Sequence, residues 1–435
     1  MAGVYLIVKI LRLRLIINII INVSFLKTQI AMEIIQLFIQ FFEYLIFIYL
    51  GFSALYILVF TAASNFSRKS KPKNGSKKTR KFAVLIPGYK EDSVICEVAQ
   101  EALKQDYPKD LFDVVIIADS FQPETISKLK LLPIVLVEVS FEKSTKSKAL
   151  NKAMETIGNN YDVALVLDAD NIMETDFITK INAAFDNGFE VVQGHRIAKN
   201  TNNALAILDA ISEELNNNIF RKGHRALGFS SGLIGSGMAF GYAMFKERML
   251  QINAVGGFDK ELELTLLRDK KKVEFVDNAY VLDEKVQKLE VFESQRKRWL
   301  AAQFIYFKRF FFTGVKHLIF KGNIDFFDKV CQMIAPPRVL LIGITAILSL
   351  LTFGIAVVFP ENPFFAIHYS YWFYIFLTVV LAFVFGIPFK FYNKKTFLAL
   401  LTLPKVFISM FLSLFKLKGA NDKFIHTEHG DIDAK

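Results

Sequence analysis

Three long uncharged stretches dominate the pattern of hydrophobic and polar positions along the chain. Residues 44–67, 339–360 and 362–389 contain no Asp, Glu, Lys or Arg, and only one histidine interrupts the last stretch. About 20 apolar residues suffice to cross the hydrocarbon core of a bilayer. The pattern therefore predicts an N-terminal transmembrane helix within residues 32–67 and a transmembrane hairpin over residues 336–390.

Between these segments, short apolar runs alternate with helical patterns. Strands are predicted at residues 82–86, 113–118, 134–139, 163–167 and 190–193. Helices are predicted at residues 92–104, 146–157, 175–187 and 203–222. Such alternation is typical of a mostly parallel sheet that is covered by helices on both faces. We therefore predict an α/β domain over residues 82–303, with its ligands beyond the carboxyl ends of the strands.

Two further apolar segments carry cations along their length. Segment 304–335 holds Lys308, Arg309 and Lys316 among aromatic residues, and segment 391–418 has a Pro-Lys pair near its middle. This mixture favours helices that lie in the membrane interface over transmembrane spans. A buried core helix is the alternative for the first segment.

The first 31 residues form an uncertain extension. They are apolar but contain Lys9, Arg12 and Arg14, so they make a poor span. An amphipathic surface helix and a crude signal sequence are two interpretations. We slightly favour a third, in which Met32 is the physiological start.

The distribution of charge predicts the orientation in the membrane. A basic linker, residues 68–81, directly follows the first span, so the positive-inside rule assigns the α/β domain to the cytosol. The same rule assigns the C-terminal tail, residues 419–435, to the cytosol. We predict an integral membrane protein, with a bacterial inner or plasma membrane as its location.

Composition narrows the classes of partner. The net charge is +11 and 53% of the residues are hydrophobic. Because the cations flank apolar segments, anionic lipid and phosphate groups are expected partners, and nucleic acid is not. The two cysteines, Cys96 and Cys331, are far apart, which argues against a disulfide framework and fits a reducing compartment.

Acidic residues follow two of the predicted strands. Asp119 comes after the second strand, and Asp168 and Asp170 come after the fourth. Carboxylates at alternate positions can point to one side and share a hard divalent cation. Such a cation would balance a diphosphate leaving group. An Asp-x-Asp alone is weak evidence, because it often only caps a helix or turn.

The order of motifs along residues 82–299 strengthens this interpretation. The motifs are Pro87 to Glu91, Asp119, the Lys148-Ala149-Leu150-Asn151 run, Asp168-Ala169-Asp170, the run from Gly235 to Phe240, an acidic cluster near Glu261, and Gln295-Arg296-Lys297-Arg298-Trp299. In this order they resemble a family 2 glycosyltransferase domain of the GT-A fold. With its membrane segments, the chain is most similar to the cellulose, hyaluronan and poly-N-acetylglucosamine synthase branch. The resemblance implies a Rossmann-like nucleotide-sugar-binding domain.

The resemblance also implies roles at the donor site. Pro87 and Glu91 would line the nucleotide-sugar pocket, and Asp119 would hold the base or ribose. Asp168 would lie near the nucleotide, and Asp170 would bind Mg²⁺ or Mn²⁺.

Lys148 and Asn151 are further candidates for the nucleotide-sugar site, near the start of a helix that suits phosphate binding. For Lys143 and Lys146, solvated surface lysines are the simpler interpretation.

A general base is expected in the acidic cluster. On the family register, Glu261 stands at the position of the catalytic Asp, while Lys260 replaces its usual acidic neighbour. This departure leaves Asp259 as the second candidate. Glu263 is expected on the helix surface.

The acceptor side involves the last motifs. Gly235, Ser236 and Gly237 would let the backbone approach the acceptor. Gln295, Arg296 and Arg298 would lie near the diphosphate and acceptor, and Trp299 would offer its flat face to an acceptor sugar. Thr427 and His429 are candidates for a loop that contacts the diphosphate, with a frayed tail as an equal alternative.

The sequence thus predicts an inverting, metal-dependent hexosyl- or N-acetylhexosaminyl-transferase. It would move a sugar from a nucleotide-sugar, in the first place a UDP-sugar, to a lipid-linked or polysaccharide acceptor. A processive synthase that also secretes its polymer is the alternative; three spans make a thin channel wall, so secretion would need a second copy or a partner. An inactive nucleotide-sugar-binding membrane scaffold is the alternative of another class.

Overall fold

The computed structural model describes residues 2–66, 78–252, 254, 257–360 and 364–415. They divide into two units, of which one combines residues 1–56 with 341–380 and the other combines residues 57–340 with 381–435. The basic linker up to residue 77 and the C-terminal tail lie outside the described residues.

The strands are β1 (Phe82–Tyr89), β2 (Phe112–Asp119), β3 (Val135–Val139), β4 (Val163–Val166), β5 (Ile172–Met173), β6 (Val191–Ala198), β7 (Met238–Gly241) and β8 (Val273–Asp283). The helices of the α/β region are α2 (Ile95–Ala102), α3 (Pro123–Leu129), α4 (Lys146–Thr156), α5 (Phe177–Asp186), α6 (Ala204–Asn216), α7 (His224–Ala226), α8 (Tyr242–Met249) and α9 (Phe258–Arg268). The other helices are α1 (Ala2–Phe66), α10 (Leu289–Lys321), α11 (Ile324–Gln332), α12 (Arg338–Val358), α13 (Tyr369–Gly386), α14 (Lys394–Leu400) and α15 (Leu403–Leu414). Short 3₁₀ turns occupy Lys109–Leu111 and Phe389–Phe391, and a π-helix occupies Asn217–Gly223.

The eight strands form one sheet in the order β3-β2-β1-β4-β7-β6-β8-β5. Strands β3, β2, β1 and β4 run parallel, β7 is antiparallel to both of its neighbours, and β6 pairs in parallel with β8. All five predicted strands are present, and the predicted α/β architecture is confirmed. Strands β5, β7 and β8 were not predicted. The first two have two and four residues, too few for a periodic signal.

Strand β1 shows why the sheet is covered on both faces. Ala83 and Leu85 belong to a core that includes residues of α4, α8 and α9. Phe82, Val84 and Ile86 belong to a second core, formed with α2 and α5. Because both faces are apolar, polar groups are confined to the strand ends, where the parallel strands stop side by side.

The helix predicted at 203–222 is interrupted. It begins at the N-cap Asn203, whose side chain accepts a hydrogen bond from the amide of Ala206 at 2.9 Å, and it becomes the π-helix after Asn216. The end of α1 packs against this π-helix so closely that a Cβ at Gly223 would lie 2.1 Å from the carbonyl oxygen of Phe60. Only glycine fits that approach.

In the unit of residues 1–56 and 341–380, Phe47 packs edge-on against Trp372 at 5.2 Å, and a Glu43 carboxylate oxygen accepts the amide of Ala366 at 2.7 Å. Three helices of the described chain are long and apolar enough to cross a membrane: Ile21–Phe66, Arg338–Val358 and Tyr369–Gly386. The 65 residues of α1 form one helix of roughly 98 Å, which is longer than the thickness of a bilayer.

The two segments predicted as interfacial are helical. The first segment is continuous with the Gln295–Trp299 motif in α10 as far as Lys321, and its remainder contains α11. The second is divided into α14 and α15, which are bent by 43° and could together form a fourth span. The interfacial assignment stays a prediction.

Candidate active site

The ends of β1 and β2 bring the predicted nucleoside residues together. Tyr89 pairs with Asp119 in the parallel register, and the amide of Lys90 donates to the Asp119 carbonyl oxygen at 3.1 Å. Lys90 and Ser120 both have positive φ, of 56° and 60°, so the chain turns sharply after each strand. Asp119 is buried, and one carboxylate oxygen accepts the Ser120 hydroxyl at 3.0 Å. Pro87 precedes this turn within β1.

Glu91 begins the segment that leads into α2. Its carbonyl oxygen accepts the amide of Ile95 at 3.1 Å, and its side chain is buried. Gly88 lies close to the Phe121 ring, where a Cβ would come within 2.6 Å. Because Gly88 has no side chain, the Phe121 ring can pack directly against this part of β1.

Three carboxylates meet beyond β4. Asp168, Asp170 and Asp283 each offer one oxygen, and these oxygens lie within 4.8 Å of one another. Asn171 donates to both Asp170 and Asp283 at 3.0 Å, and the amide of Glu284 donates to Asp170 at 3.3 Å. Three oxygen ligands of this kind suit Mg²⁺ or Mn²⁺, so the donor set fits the predicted cation.

Asp283 was missed in the sequence because its strand was missed. It ends β8, which reaches the cluster from the far side of the sheet. The alternating run 273–283 was the available signal. Burial by itself raises the pKa of Asp283, but the cations of Arg196 and Lys285 outweigh burial and hold that pKa below its ordinary value.

Lys146 was also missed, because it was interpreted as a surface lysine. It is the first residue of α4, and its ammonium donates to Asp168 at 2.5 Å and to the carbonyl oxygen of Gly235 at 2.8 Å. Lys146 thus joins the carboxylate cluster to the glycine loop. Its position in the first helical turn after β3 was the usable signal.

The two polar candidates farther along α4 have other partners. The ammonium of Lys148 is exposed and donates to the carbonyl oxygen of Lys143 at 3.0 Å. The amide of Asn151 donates to the carbonyl oxygen of Met249 at 3.0 Å, at the end of α8. Neither contact involves the carboxylate cluster, so their phosphate-binding role stays a prediction.

Hydrogen bonds from neighbouring segments hold the glycine loop, residues 234–237, in place. The side-chain amide of Gln193 donates to the carbonyl oxygens of Ser236 and Gly237 at 2.9 and 3.2 Å. The buried Ser236 hydroxyl accepts the Asp168 amide at 3.0 Å. Gly235 and Gly237 have φ of 83° and 61°, which few other residues adopt. The loop therefore presents backbone next to the carboxylate cluster, and its approach to an acceptor stays a prediction.

The two candidate bases on α9 differ in environment. A Cβ at Gly235 would lie 3.7 Å from Cγ of Asp259, so this carboxylate borders the glycine loop. Burial raises the pKa of Asp259 above its ordinary value. Glu261 is 3% exposed and pairs with Arg309 of α10 at 2.7 Å. Of the two, Asp259 is nearer to the glycine loop and Glu261 faces α10.

Glu263 is not on the helix surface as expected. It is fully buried, pairs with Lys329 of α11 at 2.9 Å and accepts the amide of Leu233 at 3.1 Å. The reason is that α11 covers the face of α9 that the sequence pattern left polar.

The Gln295–Trp299 motif lies in the first turns of α10. Arg296 is sandwiched between the rings of Phe292 and Trp299, at 4.8 and 4.7 Å, and it pairs with Asp209. Trp299 is 43% exposed, so one ring face is available to a ligand. Gln295 and Arg298 are half-buried, and burial lowers the pKa of Arg298. Thr427 and His429 lie outside the described residues.

A charged layer lies beneath the carboxylate cluster, and sequence reasoning did not identify it. Glu213 accepts Arg196 at 2.8 Å and Arg221 at 3.1 Å. Lys285 pairs with Asp283 at 2.7 Å. Burial by itself raises the pKa of Glu213, yet the surrounding cations hold it well below its ordinary value. We call Arg196, Glu213, Arg221 and Lys285 the ionic layer, and Asp283 links this layer to the carboxylate cluster.

Comparison with known proteins supplies the family context. The family model described as "Glycosyltransferase like family 2" matches residues 79–302, just over half of the chain. No curated protein matches the chain.

Solved structures with similar folds include a mannosyltransferase from Pyrobaculum calidifontis in complex with GDP-Man and Mn²⁺. It is 14% identical, with a TM-score of 0.46, over 81% of this chain and 98% of that one. S. aureus TarS 1-349 with UDP-GlcNAc is 14% identical, with a TM-score of 0.36, over 68% of this chain and 91% of that one. Glucosyl-3-phosphoglycerate synthase from Mycobacterium tuberculosis with Mn²⁺ and UDP is 15% identical, with a TM-score of 0.36, over 52% and 82%.

Proposed function

The chain belongs to glycosyltransferase like family 2, and from that premise we propose an inverting transfer of sugar from a UDP-sugar to a lipid-linked or polysaccharide acceptor at the cytosolic membrane face. The chain is accordingly a nucleotide-sugar transferase with an Asp cluster that could bind a metal. The observation that carries the finer proposal is the contact between this cluster and the glycine loop, with Asp259 beside that loop.

The donor would lie across the strand ends. Asp119 would hold the nucleoside, with Pro87 and Glu91 in the same turn region. A Mg²⁺ or Mn²⁺ ion held by Asp168 and Asp170, together with Asp283, would neutralise charge on the departing diphosphate.

The proton would go to Asp259. An acceptor hydroxyl oxygen bonds to the anomeric carbon as the bond from that carbon to the diphosphate oxygen breaks, and the hydroxyl proton passes to a carboxylate. Because burial raises its pKa, the Asp259 carboxylate is a stronger base than an ordinary Asp carboxylate. Glu261 is the first candidate from the sequence, but in this structure its carboxylate is paired with the guanidinium of Arg309.

The acceptor would bind between the glycine loop and the start of α10. The exposed face of Trp299 suits the apolar side of a sugar ring. Arg296 stacks on the other face of the Trp299 ring and holds that ring in its orientation. Gln295 and Arg298 would contact the diphosphate or acceptor.

Released nucleoside diphosphate gives a direct test of this function. Membranes that contain the full chain are incubated with a panel of UDP- and GDP-sugars, and diphosphate release is measured with and without a lipid-linked acceptor. Release that depends on one sugar and on an acceptor supports the proposal. Saturable binding of a nucleotide-sugar without release would support the inactive scaffold.

Product length separates single transfer from a processive synthase. A synthase would give long polymer at low acceptor concentration, whereas a single transfer would give one added sugar. Polymer inside sealed vesicles of known orientation would indicate secretion.

The membrane orientation can be tested at the C-terminus. A cysteine replaces Asp431 in a chain whose Cys96 and Cys331 are changed to serine. If the tail is cytosolic, this cysteine resists a membrane-impermeant thiol reagent in intact cells and reacts after lysis. Labelling in intact cells would mean that residues 391–418 cross the bilayer.

A further inference from the structure

The second half of α10 has an outward row of large apolar residues. Ile305, Phe312 and Ile319 are spaced by seven residues, which puts them on one line along the helix. Their exposures are 52%, 81% and 67%. Such a row on a water-facing surface is costly, so it indicates a contact that covers it.

The charges beside this row are all positive. Lys308, Arg309 and Lys316 are exposed on the same side of the helix. The sequence from 299 to 321 contains no Asp or Glu. An apolar row with cations on both sides matches the boundary between headgroups and acyl chains of an anionic lipid layer. We call these six side chains the cationic face.

The opposite side of the helix fixes which residues face outward. Tyr306 and Phe310 are buried in the core of the α/β region, and Gly314 is buried on the same side of the helix. Phe310 meets Phe326 of α11 edge-on at 6.2 Å, and a Cβ at Gly314 would lie 3.2 Å from Val330. Since this packing prevents rotation of α10, the cationic face is a permanent surface of the fold.

One residue of the cationic face reaches the candidate active site. Arg309 is 56% exposed, yet its guanidinium pairs at 2.7 Å with the carboxylate of Glu261, which is almost fully buried. The same carboxylate lies 3.5 Å from the Tyr306 hydroxyl and is two residues from Asp259. Arg309 therefore connects an exposed surface to the helix that carries the candidate base.

We propose that the cationic face binds anionic phospholipid, and that a headgroup phosphate replaces Glu261 as the ion-pair partner of Arg309. Guanidinium binds phosphate in the same two-pronged way as carboxylate, so the exchange keeps Arg309 paired. Glu261 then carries negative charge without its cation partner, two residues from Asp259 on the same helix, and a like charge strengthens a carboxylate as a base. Anionic lipid thereby raises turnover. The lipid contact stands without the proposed function, and the effect on turnover rests on it.

Lipid contact is measured with a fluorophore on the full chain in nanodiscs. An environment-sensitive dye is attached at Phe312→Cys in a chain with Cys96→Ser and Cys331→Ser. The matched control is Leu131→Cys, an 85% exposed position next to α3 and distant in sequence from the cationic face. In phosphatidylcholine containing phosphatidylglycerol, the dye at 312 should shift to apolar emission more than in phosphatidylcholine alone, while the dye at 131 should not. Equal emission at 312 in both lipids would overturn the contact.

Turnover in the same two lipids tests the exchange. The unmodified chain should be several-fold faster in the anionic discs. Arg309→Gln frees Glu261 permanently, so its rate should be equal in both lipids, and Arg309→Lys should keep part of the difference. A full lipid dependence in Arg309→Gln, with thermal unfolding unchanged, would overturn the exchange. If no donor is turned over, the dye result still decides the lipid contact, and the failure belongs to the proposed function.

Discussion

The two sides of the carboxylate cluster arrange their charges differently. On the donor side, Asp119 and Asp170 lie at or just after the ends of β2 and β4, and they accept hydrogen bonds from a neighbouring hydroxyl, a side-chain amide and a backbone amide. On the other side, the ionic layer packs Arg196, Glu213 and Lys285 against one another in the interior. The donor-side carboxylates thus border the proposed ligand site, whereas Glu213 of the ionic layer balances buried cations.

This difference predicts separate consequences for mutations. A change on the donor side should remove a ligand contact and leave the fold intact. A change in the ionic layer should leave a buried charge without its partner, which is costly in a low-dielectric interior. Activity and stability should therefore separate between the two regions.

The largest expected effect is on the donor side, at Asp170. Asp170→Asn removes a charged ligand of the proposed metal, so transfer should fall by roughly a thousandfold or more. EDTA should abolish transfer in the unmodified chain, and Mg²⁺ or Mn²⁺ should restore it. The measurement is diphosphate release beside thermal unfolding. Full activity in chelator would refute the metal assignment.

The next effect separates the two candidate bases. Asp259→Asn keeps shape but cannot accept a proton, so turnover should fall by about 10²–10⁴-fold with donor KM little changed. Glu261→Gln should have a much smaller effect, because Glu261 is paired with Arg309. Kinetics of both variants under identical conditions decide the matter. The reverse order would restore Glu261 as the base.

Glu213 tests the ionic layer. Glu213→Gln leaves Arg196, Arg221 and Lys285 with less negative charge around them, and should lower the free energy of unfolding by about 3–5 kcal/mol. The matched control is Lys130→Gln, which breaks an exposed pair with Glu138 and should cost about 1 kcal/mol or less. Equal losses in a denaturant titration would mean that the buried pairs are no more important than surface ones.

The smallest effect concerns pH and His195, which lies beside the ionic layer. Burial by itself lowers the pKa of His195, but hydrogen bonds with Asp277 and Glu214 outweigh burial and raise it to about 9. Because the folded-state pKa exceeds the unfolded one near 6.5, this stabilisation is complete below pH 6.5 and is lost as the pH rises through about 9.

Unfolding free energy measured from pH 6 to pH 10 should therefore decline in the unmodified chain, by on the order of 3 kcal/mol. His195→Gln should be less stable at pH 6 and should lack this decline. The same slope in both proteins would assign the pH dependence to other groups.

The donor side was predictable because its signals are local. The alternation in 82–86 and 113–118 identified β1 and β2, and parallel strands must end at the same edge of the sheet. Asp119 and Asp168 to Asp170 could then be assigned to one site without any knowledge of the rest of the fold. The resemblance to the glycosyltransferase family added their roles, and the family match confirmed the family but not the synthase branch.

The ionic layer was not predictable from periodicity. Arg196, Glu213 and Lys285 come from β6, α6 and the segment after β8, and each looks like an ordinary polar position in its own element. The same holds for Lys146, which differs from a surface lysine only because Asp168 lies within reach.

The order of residues alone identifies three apolar segments long enough to span a membrane, an α/β domain and the acidic residues at its strand ends. These follow from hydrophobic period and from residues close in the chain. The three-dimensional fold was needed to show that Asp283 joins Asp168 and Asp170. The fold also shows that Glu263 is buried beneath α11. It shows, finally, that Arg309 pairs with Glu261 while Asp259 borders the glycine loop. Each of these contacts depends on which helix or strand covers a given face. The charged side chains pair with residues that are close in space but far apart in the sequence, so the order of residues does not reveal the pairs.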